Sequence, residues 1–415
     1  MFNRPIGDLA IAGGHSPEEW RFTYHPDYLA ASTPVPLSFS LPLRENAYQG
    51  AVVRNWFCNL LPEGGVRDAI TARLRIAPRD DFALLAAIGG ECAGAVSIQP
   101  LRPGAERPHE EDSDLETLLH LQGEDAGEGA FALLGAPLRL SLAGAQDKLA
   151  VIAGPDGRLR LPCRGELSTH ILKPGSGRFH GLRDLEALGL GLARTIGLPV
   201  AASALVDVLG RPALLIERYD RAPDAGGIQR LHQEDFCQAL GYPGEMKYES
   251  QGGPGLARFS ALIRQLGLGP GALQGLLDWT VFNALIGNAD AHAKNLALLC
   301  DRQGRRRLAP FYDLVPTVVL PRSLIDRAPA LRIGAAASVE EITAADWRSF
   351  ASGSQYAPGF VLKRVSGMAD ELLRCINSVA DQLVEQGGDA ARMARNTQLI
   401  GANIRRLRAS SSASA

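Results

Sequence analysis

The sequence predicts an α+β fold in two lobes, a strand-rich small lobe followed by a mostly helical large one, with an N-terminal α/β subdomain ahead of both. Three observations carry that prediction. Between residues 131 and 220, short apolar runs alternate with glycine-containing turns. From residue 221 onward, apolar residues recur mainly at helical spacing. Between Gly287 and Asp313, two apolar runs flank a turn, so that a hairpin returns Asp313 toward Asn295 and Asp290.

In chain order, residues 1–100 mix short strands with a helix over Gln49–Leu61, where Val52, Val53, Trp56, Leu60 and Leu61 share one face. Residues 101–130, rich in Pro, Gly and acidic side chains, read as a connector with a short helix near Asp114–Leu121. In the small lobe, residues 131–220, strands at Leu138–Leu142 and Leu149–Ala153 flank the turn SLAGAQDK, Ser141–Lys148. Thr169–Lys173 (THILK) is a further strand. A helix over Leu185–Ile196 carries Leu185, Leu188, Leu192 and Ile196 on one stripe and stops at Gly197. Strands at Ala204–Val208 and Ala213–Tyr219 close the lobe.

The helical lobe, residues 221–408, contains an apolar segment, Leu273–Ile286, dense enough to be a buried helix, with Gly287 placed to end it. Ser338 and Glu341 read as a capping box for a late helix. Two more helices are expected near 359–385 and 389–407, the first with Val361, Val365, Leu372, Ile376 and Leu383 facing the core. The tail 409–415 is expected to be disordered.

The polar residues of 287–313 have the order in which a kinase-like phosphotransferase sets its machinery. Asp290 accepts the proton of an attacking hydroxyl, and Asn295 and Asp313 supply oxygens to magnesium, a hard cation that takes few protein ligands beside nucleotide phosphates. Each residue alone is an ordinary turn former, so the assignment rests on the rest of the machine being present. The small-residue turn Leu142, Ala143, Gly144, Ala145, Gln146, Asp147 and Lys148 lets backbone N–H groups approach phosphates, or is a plain hairpin turn. Lys173 ends an apolar strand where protein kinases keep the lysine that pairs with ATP phosphates, or simply reaches solvent. Glu186 is either the carboxylate that orients Lys173 or a favourable charge at a helix N-terminus.

Taken together, SLAGAQDK, STHILK, LLIERYDR, the loop KYESQGGPG at Lys247–Gly255, GNADAHAKN and LAPFYD resemble the HipA family of bacterial serine/threonine kinases, the toxin half of HipA–HipB toxin–antitoxin pairs. LSFSLPL and NLLPEG in the N-terminal segment match as well. The resemblance implies a two-lobed protein-kinase-like fold with Asp290 catalytic, Asn295 and Asp313 on Mg2+ and Lys173 on the phosphates of ATP. Leu142–Asp147 would cover the triphosphate, and Glu217 and Tyr219 would lie at the adenine. His292 either touches the transferred phosphate or is structural. Ser141 would be autophosphorylated, adding about two negative charges beside the phosphate loop and so opposing nucleotide binding. A HipB-like helix-turn-helix antitoxin would be the partner, and an aminoacyl-tRNA synthetase the protein substrate, its phosphorylation arresting translation and growth.

Composition sets limits. A net charge of −2 over 415 residues gives no electrostatic basis for binding DNA directly, so DNA is expected only through the antitoxin. The six cysteines have no paired spacing, which points to reduced thiols in the cytoplasm and away from zinc. No segment suits a membrane span, and the first residues lack the apolar stretch of a secretory signal. Two alternatives stand beside the protein kinase: a small-molecule phosphotransferase, and a non-catalytic partner in an operator-binding complex.

Overall fold

The computed structural model describes residues 1–12, 16–101, 115, 140–141, 148–163, 166–175, 181–224 and 227–412. The expected phosphate loop, Leu142–Asp147, and nearly all of the expected connector lie outside these residues. The chain forms two compact units, the first from Met1–His180, Val208–Gly244 and Leu298–Arg306, the second from Gly181–Asp207, Glu245–Ala297 and Arg307–Ala415.

In the first unit, strands Gly7–Ile11, Trp20–Tyr24 and Tyr48–Gln49 form an antiparallel sheet. Trp20, Phe22 and Tyr24 alternate with outward residues, so one face enters a core with Leu37, Leu41, Trp56, Phe57, Leu84 and Ile88. The expected helix at 49–61 is shorter, Ala51–Cys58, because Gly50 takes a φ of 84° and leaves Gln49 in its strand. A second set of strands runs side by side in the order Leu159–Arg160, Leu149–Ala153, His170–Pro174 and Arg211–Glu217, antiparallel throughout.

The helical run expected from residue 221 begins later. Residues just past 221 are not helical: Arg221–Asp224, Gly227–Arg230 and His232–Asp235 are strands of this first unit, followed by the helix Phe236–Leu240. They hold the N-terminal segment in place. His232 Nε2 bonds Leu37 O at 2.7 Å, Ser38 Oγ and Phe39 N–H donate to Glu234, and Asn55 and Asn59 donate to the carbonyls of Gly241 and Tyr242.

The second unit is built from the helices Leu182–Thr195, Leu256–Gln265, Gly269–Ile286, Ala344–Ser354, Pro358–Glu385 and Ala390–Ser412. Gly269–Ile286 is buried from Leu276 to its end except at Asp278, as its apolar density predicts, and Gly287 stops it with φ 72°. Its last carbonyls need partners, and Asn403 supplies them by donating to Ala284 O and Leu285 O. The capping box lies later than expected, with Thr343 and Asp346 opening Ala344–Ser354, while Ser338 accepts only a turn bond from Glu341. The last helix also outruns its expected end. It reaches Ser412 because Ser410 and Ser411 bond back to Leu407 O, and Ser410 also to Ile342 O, so only 413–415 of the expected tail remain outside the described residues. Among the described residues no helix is long and apolar enough to cross a membrane. All six cysteines are free thiols.

Candidate active site

The loop 288–295 is held by its own amides. Asn283, in the last turns of Gly269–Ile286, receives Asn288 Nδ2 on its Oδ1 at 2.8 Å. Asn288 Oδ1 in turn accepts the Asp290 N–H at 3.1 Å. Asn295 Nδ2 donates to Asp290 O at 3.0 Å, closing the loop on itself. That bond commits the nitrogen end of the Asn295 amide and leaves its oxygen as the end suited to a cation. From the KYESQGGPG loop, Tyr248 Oη donates to Asp290 Oδ1 at 2.7 Å, and its ring meets His292 edge-on at 5.3 Å between centroids. His292 is buried.

The hairpin returns the chain as expected, with strands Ala297–Cys300 and Arg306–Leu308. Ala309 N–H bonds Ala297 O at 2.8 Å, and Tyr312 Oη bonds Lys294 O at 2.6 Å, which brings the segment carrying Asp313 back to the loop carrying Asn295. Phe311 is fixed from its other side by Phe311 N–H to Pro199 O at 2.7 Å and Ala201 N–H to Phe311 O at 2.9 Å. Asp313 itself has φ 56°, a left-handed conformation that a non-glycine residue holds only where its surroundings enforce it. Enforcement is visible next door. Leu314 is fully buried, and its carbonyl lies where a Cβ on Gly189 of the helix Leu182–Thr195 would come within 1.8 Å.

Thr317 then locks the two segments. Its hydroxyl donates to Gly287 O at 3.1 Å and accepts from Ala289 N–H at 2.8 Å, while Arg327 donates to Thr317 O. Sequence reasoning missed Tyr248 and Thr317. Tyr248 lay inside a quoted motif, but nothing local to it points at Asp290.

Of the remaining sequence-predicted residues, all those described except Glu186 belong to the first unit. Lys173 sits opposite Leu214 in the middle of its sheet and is 8% exposed. Glu217 lies on the neighbouring strand opposite His170 and is exposed, and Tyr219 follows in the turn after it. Ser141 pairs with Cys92 in a short parallel bridge of strands, and Lys148 enters the strand Leu149–Ala153. Glu186 is buried in the second unit, within Leu182–Thr195.

Among the described residues no three His, Cys, Asp or Glu side chains cluster as a self-sufficient metal site. An amide oxygen and a carboxylate from Asn295 and Asp313 match instead what magnesium needs from a protein when phosphates supply the other oxygens. The donor set therefore fits that ion.

Comparison with known proteins agrees with this architecture. The HipA N-terminal domain family matches residues 1–99, and the HipA-like C-terminal domain family matches 140–386. A putative kinase of Sinorhizobium fredii, Y4mE, is 39% identical over 382 residues, covering 90% of this chain and 89% of its own. The serine/threonine-protein kinase toxin HipA of Shewanella oneidensis is 32% identical over 298 residues, 68% of this chain and 66% of that one. The structure of Shewanella oneidensis HipA with HipB and its operator DNA superposes with a TM-score of 0.78 at 25% identity, covering 97% of this chain and 95% of that one. With both domains matched in order and relatives named as kinases, the chain belongs to the HipA family and is a kinase.

Proposed function

We propose that this kinase transfers the γ-phosphoryl group of ATP to a serine or threonine hydroxyl of a protein, using magnesium. Asp290 orients the acceptor hydroxyl and takes its proton, a contribution of roughly 100- to 10,000-fold. Asn295 and Asp313 would hold the metal, which when bound with nucleotide neutralises phosphate charge. Lys173 pairs with the same phosphates, Lys148 and the loop 142–147 cover them, Glu217 and Tyr219 flank the adenine, and His292 lies beside the transferred group. The observation that carries this reading is the closed hairpin, in which the Tyr312–Lys294 bond returns Asp313 to the Asn295 loop. The Asn295 amide, nitrogen inward on Asp290 O, supports the ligand role of its oxygen.

The relatives extend the proposal. The Shewanella protein named a HipA toxin, and its complex with HipB and operator DNA, support a HipB-like helix-turn-helix antitoxin as partner, with DNA reached through it. The family further suggests an aminoacyl-tRNA synthetase as substrate and Ser141 as a self-modified residue. Purified protein with magnesium and labelled ATP tests the chemistry. Asp290→Ala lowers transfer by roughly 100- to 10,000-fold and Asp313→Ala abolishes it, each while melting within a few degrees of wild type. Undiminished transfer by Asp290→Ala removes the assignment. Phosphoproteomics of cells expressing wild type against Asp290→Ala then names the substrate, and label on Ser141 separates a self-modifying protein kinase from a small-molecule phosphotransferase.

A further inference from the structure

The loop Lys247–Gly255 is the motif that the reading above leaves without a task, and its contacts converge on the catalytic loop. Lys247 O accepts the Ala293 N–H at 3.1 Å. Glu249 N–H donates to Ala330 O at 2.9 Å, Ala330 N–H donates to Ala289 O at 2.9 Å, and the Glu249 carboxylate accepts the Arg332 N–H at 2.7 Å. The loop is thus bonded directly to Ala293 on one side of Asp290 and, through Ala330, to Ala289 on the other. Its glycines permit that compaction. Gly252 has φ 88°, and a Cβ on Gly253 would lie 2.0 Å from Met246 O and 2.7 Å from Tyr248 O. From this bracket the Tyr248 phenol reaches Asp290 Oδ1 at 2.7 Å, while its ring rests on the edge of His292.

We infer that Tyr248 is a positioning residue for the catalytic carboxylate: it pins one oxygen of Asp290 so that the second is presented to the acceptor hydroxyl. A carboxylate on a loop rotates about two side-chain torsions, and a base works only within hydrogen-bond reach of the proton it takes. A phenol O–H donated to the carboxylate, from a loop bonded to Ala293 and, through Ala330, to Ala289, removes that freedom before substrate arrives. The inference rests on Asp290 being the base.

The test is kinetic and uses the full-length protein. Tyr248→Phe keeps the ring on His292 and loses only the O–H. Its expected phenotype is a kcat lower by about 10- to 100-fold, the range of a hydrogen bond to a charged group. The KM for ATP stays within about twofold of wild type, because in the scheme proposed above the phenol acts on the base and not on the nucleotide. In an Asp290→Ala background the same substitution has no further effect on residual transfer, since the phenol acts through the carboxylate. Gly253→Ala, which forces the bracket to shift, reproduces the kcat loss with Tyr248 intact. A wild-type kcat in Tyr248→Phe, or an equal loss in both backgrounds, overturns the inference while leaving the kinase reading in place. Full activity in Asp290→Ala would instead sink the reading on which it rests.

Discussion

At the residue scale, the site is assembled by small polar side chains that answer backbone groups. Thr317 is 3% exposed and serves both sides of Asn288, donating to Gly287 O and accepting from Ala289 N–H. Thr317→Val keeps the shape and removes both bonds, which leaves a buried N–H without an acceptor at a cost of about 1–3 kcal/mol. Urea unfolding measures that loss directly. Because the stranded amide is next to Asp290, kcat falls as well, and Thr317→Ser restores both. Equal stability of the Val and Ser variants would show that the hydroxyl holds nothing. The return of the Asp313 segment to the loop of Asp290 and Asn295 was legible in the sequence because both lie on one continuous turn-and-hairpin segment whose spacing is local. Thr317 and Tyr248 were not, since they reach the loop from 28 and 42 residues away in sequence, a proximity that only the folded second unit creates.

At the element scale, the helix Leu182–Thr195 bears on the segment that carries Asp313. Within an ordinary helix Gly→Ala is stabilising by up to about 1 kcal/mol, since alanine loses less backbone entropy. Gly189 reverses that sign, because an added Cβ would come within 1.8 Å of Leu314 O and the carbonyl is backbone that cannot rotate away. Gly189→Ala is therefore expected to lower the melting temperature and to weaken transfer by displacing Asp313, with a cost of about 1–3 kcal/mol for overpacking. Gly367→Ala, in Pro358–Glu385 with open space beside it, is the matched control and should be neutral or slightly stabilising. Helix cores were easy to read from periodicity: Leu276, Phe282, Val365 and Leu372 are all fully buried. Helix ends were harder, because capping is decided by which hydroxyl or carboxylate reaches an amide. Ser338 with Glu341 has the right spacing, yet Thr343 with Asp346 makes both bonds, and the serines after Leu407 carry their helix past the expected tail.

At the scale of the whole molecule, the first unit is held by charges taken out of water, a feature that composition does not reveal. Arg218 and Arg221 share Glu91 and Asp220, Ser168 Oγ donates to Glu91, and Gly94 N–H donates to Asp220. Burial alone would push both carboxyls up, but the two guanidiniums outweigh it and hold Glu91 below its ordinary value and Asp220 down to about 2. Glu234, against the N-terminal segment at Ser38 and Phe39, has no ion pair among the described residues, so burial outweighs those hydrogen bonds and the attraction of Arg306 and pushes it up to about 7. The signs are opposite. Asp220 contributes stability that is present above its ordinary 3.8 and lost as pH falls through about 2. Glu234 contributes stability that is complete below 4.5 and lost as pH rises through about 7. The first unit should accordingly be most stable near pH 4.5 and lose up to about 3 kcal/mol by pH 8 through Glu234. Glu234→Gln, which stays uncharged, can accept the Phe39 N–H on its oxygen and donate from its nitrogen to Ser38 Oγ, and should flatten the melting temperature between pH 5 and 8 while keeping the acid limb set by Asp220 and Glu91. An unchanged slope in that variant would mean that Glu234 is already ionised in the folded chain, and that the contact between the N-terminal segment and His232–Asp235 is maintained by a charge and not by a neutral carboxyl.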